Sequence, residues 1–106
     1  TRIEGVDLDD QRKWSDETFG QGERRKGVVE HILKELIEVL DTEDRDERLK
    51  EWIDVLILAI DGATRDGFTG EEVTLAYHRK MSENRRRDWP DWRDFSEDQP
   101  IEHIRL

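Results

Sequence analysis

The chain has 106 residues, of which 43% are charged and 33% hydrophobic, and its formal net charge is -10. This composition predicts one small domain with too little core for a self-sufficient monomer, and it argues against a general nucleic-acid-binding surface, which needs clustered Lys and Arg. Cysteine is absent, which excludes thiolate metal sites, and no run approaches the roughly 20 apolar residues of a membrane span.

The first predicted segment, residues 1–23, is a polar N-terminal arm. Its aromatic side chains lie in the stretch from Trp14 to Phe19, and Gly20 and Gly22 follow. This segment is either a short helix or an extended arm that leads into a turn at the two glycines.

The second segment has the periodicity of an amphipathic helix over residues 24–41. From Val28 to Leu40 the apolar residues fill one half of a helical wheel, and His31, Glu35 and Glu38 form a stripe at its edge. The polar run 41–47 that follows is typical of a short link between helices.

The third segment, residues 46–64, predicts a helix of a different kind. From Trp52 to Ile60 it is apolar at every position except Asp54, which indicates a helix that is buried nearly all round. Glu47, Glu51, Asp54 and Asp61 fall in one narrow stripe of its surface, which only Leu58 interrupts. Because charge on a buried helix needs a partner or a function, this stripe is a candidate site.

A third main helix is predicted to begin at Thr69 and to run to about Arg87. Thr69 with Glu72 forms a capping box. The sequence Trp89-Pro90 ends this helix. The tail that follows is acidic, and within it Ile101 and Ile104 could form a last helical turn.

Two pairs of acids become neighbours if the first two main helices are antiparallel. Glu38 then faces Glu51, and Glu35 faces Asp54. Four ionised carboxylates at one level repel each other, so they need shared protons or hard cations between them. Ligation by oxygen alone, with room for water and phosphate oxygens, is what Mg2+ prefers. The pattern therefore favours metal-dependent phosphate chemistry, although Arg or Lys from a neighbouring subunit could neutralise the acids instead.

Five further residues are candidates for binding a substrate. Lys80, Asn84 and Arg87 share one helix face and could present two cations and an amide to a triphosphate, or simply complement the helix dipole. His31 could contact phosphate or be an exposed histidine at the helix edge. Asp61 could extend the site toward the sugar or the base, or make a structural hydrogen bond.

The spacing of the acids resembles a known signature. Glu35-Leu-Ile-Glu38, twelve intervening residues and Glu51-Trp-Ile-Asp54 resemble the ExxE…ExxD motif of the all-alpha nucleoside triphosphate pyrophosphohydrolases, the group of MazG, the dimeric dUTPases and phosphoribosyl-ATP pyrophosphatase. Other segments are similar to a compact MazG-like branch from phages and bacteria, regarded as dATP/dGTP pyrophosphohydrolases. These segments are Thr18-Phe-Gly-Gln-Gly22, Lys26-Gly-Val-Val-Glu-His31, Leu58-Ala-Ile-Asp-Gly-Ala63, Lys80 with Asn84, and Trp89-Pro-Asp-Trp-Arg93.

The resemblance implies an all-α fold: a MazG-like helical hairpin plus a third helix, completed into a four-helix-type core by oligomerisation. Residues 1–106 would form a single domain with an arm (1–23), a helical core (24–87) and a tail (88–106). It also implies a homodimer or homotetramer, in agreement with the composition. The absence of cysteine, of a membrane span and of a visible signal peptide predicts a cytoplasmic protein, of a bacterial or phage-infected host cell. Nucleic acid and membrane are not expected as partners.

The implied reaction is hydrolysis of a purine nucleoside triphosphate, dGTP or dATP, to the monophosphate and pyrophosphate. Glu35, Glu38, Glu51 and Asp54 would hold two or more Mg2+ ions, for which Mn2+ could substitute, and one ion would lower the pKa of the attacking water. Glu38 or Glu35 could act as the general base. Lys80 and Arg87 would neutralise charge on the pyrophosphate. The rival hypothesis is a non-catalytic acidic helical module that binds metal, nucleotides or a protein.

Overall fold

A computed structural model describes residues 6–105, and every regular element among them is helical. The helices are α1 (Leu8–Phe19), α2 (Arg25–Asp41), α3 (Arg45–Arg65) and α4 (Gly70–Arg86), and a 3-10 turn spans Trp92–Asp94. The all-α prediction is confirmed. The start of the predicted arm and the last residue of the predicted tail lie outside the described residues.

Two compact units make up the chain, Thr1–Thr74 and Leu75–Leu106, and the boundary between them falls within α4. The predicted single domain with a 24–87 core stays a prediction. Within residues 6–105, no helix combines the length and the apolar composition needed to span a membrane.

The α2–α3 hairpin is the centre of the first unit. Thr42 ends α2 by donating from its backbone N–H and its hydroxyl to the carbonyl of Glu38, at 2.9 and 2.6 Å. Asp44 caps α3 by accepting from the Glu47 N–H at 2.9 Å. Three residues separate the helices, and the two run antiparallel, because Val28 near the start of α2 lies beside Gly62 near the end of α3. Val28 packs close to α3, and a Cβ added at Gly62 would lie 3.5 Å from its side chain.

The polar N-terminal segment forms a helix, which settles the choice between helix and extended arm. Asp7 caps α1 by accepting from the N–H groups of Asp9 and Asp10. The helix ends at Gly20, whose φ of 86° is unfavourable for residues with a side chain. Gln11 joins α1 to α3, because its Nε2 donates to the carbonyl of Ile57 at 2.9 Å.

The start of α4 is fixed by its capping box and by α1. The Thr69 N–H donates to Glu72 at 3.1 Å and the Glu72 N–H donates to the Thr69 hydroxyl oxygen at 3.2 Å, as the sequence predicts. Asp9 of α1 accepts from the Gly70 N–H at 2.8 Å. A Cβ at Gly70 would lie 2.9 Å from that of Leu8, so only glycine permits this close approach.

The second unit holds the rest of α4 and the tail. The indole of Trp89 donates to the carbonyl of Asn84 at 2.8 Å and meets the ring of His103 edge-on. The predicted helical turn at Ile101 and Ile104 is wrong, because residues 101–105 are not helical. The Ile104 N–H instead donates to the carbonyl of Asp88 at 2.7 Å, which ties the tail back to the end of α4.

Few apolar side chains are buried within one chain. Val28 and Val39 are the buried hydrophobic residues among those described. The prediction that α3 is buried nearly all round is wrong for the single chain, since Trp52 is 51% exposed and Ile53 43%. The physical reason is that α1 and α2 contact only part of the circumference of α3.

Candidate active site

Three carboxylates meet between the two helices of the hairpin. Glu35 and Glu38 lie one turn apart on α2, and Glu51 approaches from α3. One oxygen from each of the three lies within 4.8 Å of the others. Glu35 and Glu51 are partly buried, whereas Glu38 is exposed and opens the cluster to solvent.

The closeness of these acids changes the ionisation of one of them. The pKa of Glu51 rises from 4.5 to about 7, because its protonated form hydrogen-bonds to Glu35 and Glu38, because burial disfavours its charge, and because both neighbours repel it. The cluster therefore binds protons more tightly than separate glutamates would.

The donor atoms of the cluster fit a hard divalent cation. Oxygen Oε2 of Glu35 and oxygen Oε2 of Glu51 are both buried and have no hydrogen-bond partner. Buried oxygens of this kind are unfavourable unless a donor or a cation satisfies them. Three carboxylates, with the cluster open to water on one side, are suitable ligands for Mg2+ or Mn2+.

Asp54 does not belong to this group of three. It lies on α3 near Glu51, is exposed, and lines a cavity together with Glu35. Its role as a fourth metal ligand stays a prediction. His31 lines the same cavity, and its Nε2 lies 3.3 Å from an oxygen of Glu35.

Asp61 is buried, lines the same cavity and is held by Arg65. The Arg65 Nε donates to Asp61 Oδ2 at 2.9 Å, while Asp61 Oδ1 is buried without a partner. The bond to Arg65 is the structural hydrogen bond that the sequence offered as one alternative, and contact of Asp61 with the sugar or the base stays a prediction.

Arg65 is the organising residue of this region, and the sequence analysis missed it. Its side chain is only 1% exposed. Besides Asp61, it donates to the hydroxyl of Ser15 at 2.8 Å and to the carbonyls of Gly20 and Gly22 at 3.0 and 2.8 Å. It thereby joins α3 to the end of α1 and to the turn that follows α1.

The three remaining candidates form their own cluster in the second unit. Arg87 donates to the amide oxygen of Asn84 at 3.0 Å and to Glu83 at 2.6 Å, and the Lys80 ammonium lies 3.9 Å from Glu83. Lys80 and Asn84 lie on α4 and Arg87 directly follows its last residue, and Glu83, which the sequence analysis did not consider, partly neutralises the two cations. In the same unit, burial and the charges of Arg87, Arg105 and Lys80 lower the pKa of His103, although Glu102 opposes them.

The chain is similar to known proteins in both sequence and structure. The sequence model of the dATP/dGTP pyrophosphohydrolase family matches residues 8–105. Among solved structures, the chain is similar to a cyanophage S-2L MazG-like pyrophosphohydrolase that is bound to dGDP and three catalytic Mn2+ ions per active site. The identity is 30%, the TM-score is 0.67, and the match covers 94% of this chain and 99% of that one. The curated proteins give no match.

The family match covers nearly the whole chain, so the chain belongs to the dATP/dGTP pyrophosphohydrolase family and is a hydrolase. This membership confirms the resemblance to the MazG-like branch and decides between the enzyme and the non-catalytic module in favour of the enzyme.

Proposed function

We propose that this member of the dATP/dGTP pyrophosphohydrolase family converts dGTP or dATP to the monophosphate and pyrophosphate with Mg2+. The observation that carries the proposal is the cluster of Glu35, Glu38 and Glu51, with its two unpartnered buried oxygens. The dGDP bound by the cyanophage protein supports a purine deoxynucleotide as the substrate. Such substrates are made and used in the cytoplasm, which is where we place the reaction.

The three clustered glutamates, with Asp54 as a fourth ligand, would hold two or more divalent ions. The three Mn2+ ions of the cyanophage protein support this number and suggest that Mn2+ can replace Mg2+. When bound, such ions polarise phosphate oxygens and make a neighbouring water more acidic.

The chemistry of the chain's own residues is proton transfer and charge neutralisation. Glu38 or Glu35 accepts a proton from the water that attacks the α-phosphorus, and the bond from that phosphorus to the bridging oxygen of the β-phosphate breaks. His31 lies close enough to Glu35 to orient it.

Three further candidates carry hydrogen-bond donors. We propose that Lys80, Asn84 and Arg87 bind phosphate oxygens and neutralise charge on the pyrophosphate group. Arg87 contacts Asn84 and Glu83, and Lys80 lies near Glu83, so the three residues are held together at the C-terminal end of α4.

Association of chains belongs to the proposal as well. The exposed apolar side chains of α2 and α3 need a covering surface, and a homodimer or homotetramer would provide one.

A nucleotide screen tests the proposed reaction. The common dNTPs and NTPs are incubated with Mg2+, nucleotide products are separated by chromatography, and pyrophosphate is assayed. We expect monophosphate and pyrophosphate from a purine dNTP, and no product in EDTA.

The matched pair of variants is Glu38→Gln and Glu30→Gln, which make the same change on the same helix. Glu30 is exposed and outside the cluster. Glu38→Gln should keep the helical fold and lose at least about a hundredfold in kcat, as expected for loss of a general base, while Glu30→Gln should keep full activity. Full activity in Glu38→Gln would remove Glu38 from the mechanism.

A further inference from the structure

A cavity of about 270 Å³ lies within the first unit, and helix α1 supplies one of its walls. Glu35, which belongs to the acid cluster, is part of its lining, so the cavity adjoins the place where phosphate chemistry is proposed. The residues of α1 that line it, which we call the α1 wall, include Trp14, Ser15 and Phe19. This wall is therefore the part of α1 that a bound substrate would meet.

The α1 wall offers aromatic surface to a ligand. Trp14 and Phe19 meet edge to face with their ring centroids 5.5 Å apart, and they are 53% and 50% exposed. Aromatic side chains attract flat, apolar groups, whereas phosphate groups prefer cations and hydrogen-bond donors. The nucleoside is therefore the part of a nucleotide that matches this wall, and the phosphates match the acids with their divalent ions.

The α1 wall is attached to α3 by one buried side chain. Arg65 is only 1% exposed. One of its terminal nitrogens donates to the hydroxyl of Ser15 at 2.8 Å, and the other donates to the carbonyls of Gly20 and Gly22 at 3.0 and 2.8 Å. Ser15 lies within the wall and Gly20 directly follows Phe19, so these bonds fix the wall at two points.

The other polar contacts of α1 do not replace these bonds. Gln11 and Asp9 bond to α3 and to the start of α4, but both precede the wall in the sequence. The carbonyl of Phe19 also accepts from Arg24, which is exposed and lies only five residues further along the chain. A contact that local cannot hold the wall against α3, so this task falls to Arg65.

Resting on the proposed function, we infer that the cavity holds the nucleoside part of the substrate and that Arg65 is a positioning residue for it. Arg65 is too deeply buried to touch the ligand. It acts through Ser15 and the turn at Gly20 and Gly22, which keep Trp14 and Phe19 in place. This role needs the planar guanidinium, whose donors point in several fixed directions from one buried position. Loss of that group should weaken binding of the nucleoside and leave binding of phosphate groups unchanged.

The variant Arg65→Lys tests the inference, because it keeps a positive charge beside Asp61 but replaces the guanidinium by a single ammonium group. Calorimetry with Mg2+ measures the affinities for dGMP, dAMP and inorganic pyrophosphate. Only the two mononucleotides carry a nucleoside. We expect the affinity for the mononucleotide that binds better to fall roughly 3- to 10-fold, the size expected when an aromatic stacking contact is lost. The affinity for pyrophosphate should stay as in the wild type.

The matched control is Arg45→Lys, the same change at an exposed position of the same helix. It should bind all three ligands as the wild type does. In Arg65→Lys, an equal fall for mononucleotide and pyrophosphate would show that Arg65 supports the fold as a whole and not the α1 wall. Unchanged mononucleotide affinity in the folded variant would show that the wall does not depend on Arg65. Either result would overturn the inference.

A second test uses only the wild-type protein and so does not depend on the folding of a variant. Amide hydrogen exchange is measured by mass spectrometry in peptides that cover residues 14–22, which include the α1 wall and the turn that Arg65 holds. Exchange there should slow when the mononucleotide binds, because the ligand covers the wall, and pyrophosphate should leave it unchanged. No slowing at a saturating concentration of the mononucleotide would overturn the inference.

Failure of the proposed function has a different signature, because both tests measure binding and need no turnover. Normal hydrolysis together with unchanged mononucleotide binding in Arg65→Lys would overturn the inference and leave the hydrolase proposal intact. No hydrolysis of any nucleotide, together with mononucleotide binding that Arg65→Lys weakens, would overturn the hydrolase proposal and support the inference. A wild type that binds neither mononucleotide would overturn the inference.

Discussion

Among single residues, Glu51 shows how the fold makes the ionised form of a carboxylate unfavourable. Its pKa is 4.5 when unperturbed and about 7 in the fold. Because its pKa is higher in the folded state, the folded chain binds this proton more tightly than the unfolded chain does. The stability that this proton provides is fully present well below pH 4.5 and is lost as the pH rises through 7.

The first prediction concerns the metal-free protein in EDTA. Between pH 5 and pH 8, the wild type should lose more unfolding free energy than Glu51→Gln, which cannot ionise at this position. Urea denaturation at both pH values measures the difference, and Glu47→Gln, on the same helix, serves as the exposed control. Identical pH dependence in wild type and Glu51→Gln would show that the cluster does not hold the proton.

Single residues also show how far sequence alone reaches. Glu35, Glu38 and Glu51 were found because acids spaced by one helical turn stand out against an apolar stripe. Arg65 and Ser15 were missed because they lie 50 residues apart in sequence and their contact leaves no local pattern. Asp54 has the right spacing but is not in the group of three, since its distance to the others depends on how the helices pack.

Among the helices, Arg65 connects three elements through one buried side chain. It bonds to Asp61 within α3, to Ser15 in α1, and to Gly20 and Gly22 in the turn. Removing it would leave the Asp61 carboxylate buried without its counter-charge, and two carbonyls without their donor.

The second prediction is that Arg65→Met lowers the unfolding free energy by about 3–5 kcal/mol, the usual loss when one partner of a buried ion pair is removed. Urea denaturation measures it. Arg79→Met, at an exposed position of α4, should change stability by less than about 0.5 kcal/mol. A loss below about 1 kcal/mol in Arg65→Met would contradict the structural role of this residue.

Periodicity, capping residues and short links predicted the helices well. The α2–α3 hairpin and the capping box of Thr69 and Glu72 follow from local rules that the structure obeys. The tail does not follow such rules. Ile101 and Ile104 have helical spacing, but a bond from Ile104 to Asp88, sixteen residues away, determines its conformation.

At the level of the whole molecule, a single chain leaves much of its apolar surface uncovered. On α2, Leu40 is 84% exposed and Ile37 58%, and on α3 Leu49 is 59% exposed. Soluble monomers rarely expose so many large apolar side chains on neighbouring helices. Association of chains would explain both the low hydrophobic content of the sequence and this exposure of apolar side chains.

The third prediction is that the wild type is a dimer or tetramer at micromolar concentration, and that Ile37→Glu is monomeric, because a charge in an apolar interface is costly to desolvate. Sedimentation equilibrium measures both, and Ile37→Leu, which keeps the apolar character, should assemble as the wild type does. A monomeric wild type would contradict the expected association.

The most direct measurement of the central claim is hydrolysis of dGTP in water enriched in oxygen-18, with the products analysed by mass spectrometry. Attack on the α-phosphorus in a reaction that needs divalent ions predicts labelled dGMP and unlabelled pyrophosphate, formed with Mg2+ or Mn2+ and absent in EDTA. Formation of dGDP and labelled phosphate, or label in the pyrophosphate, would contradict the proposed reaction.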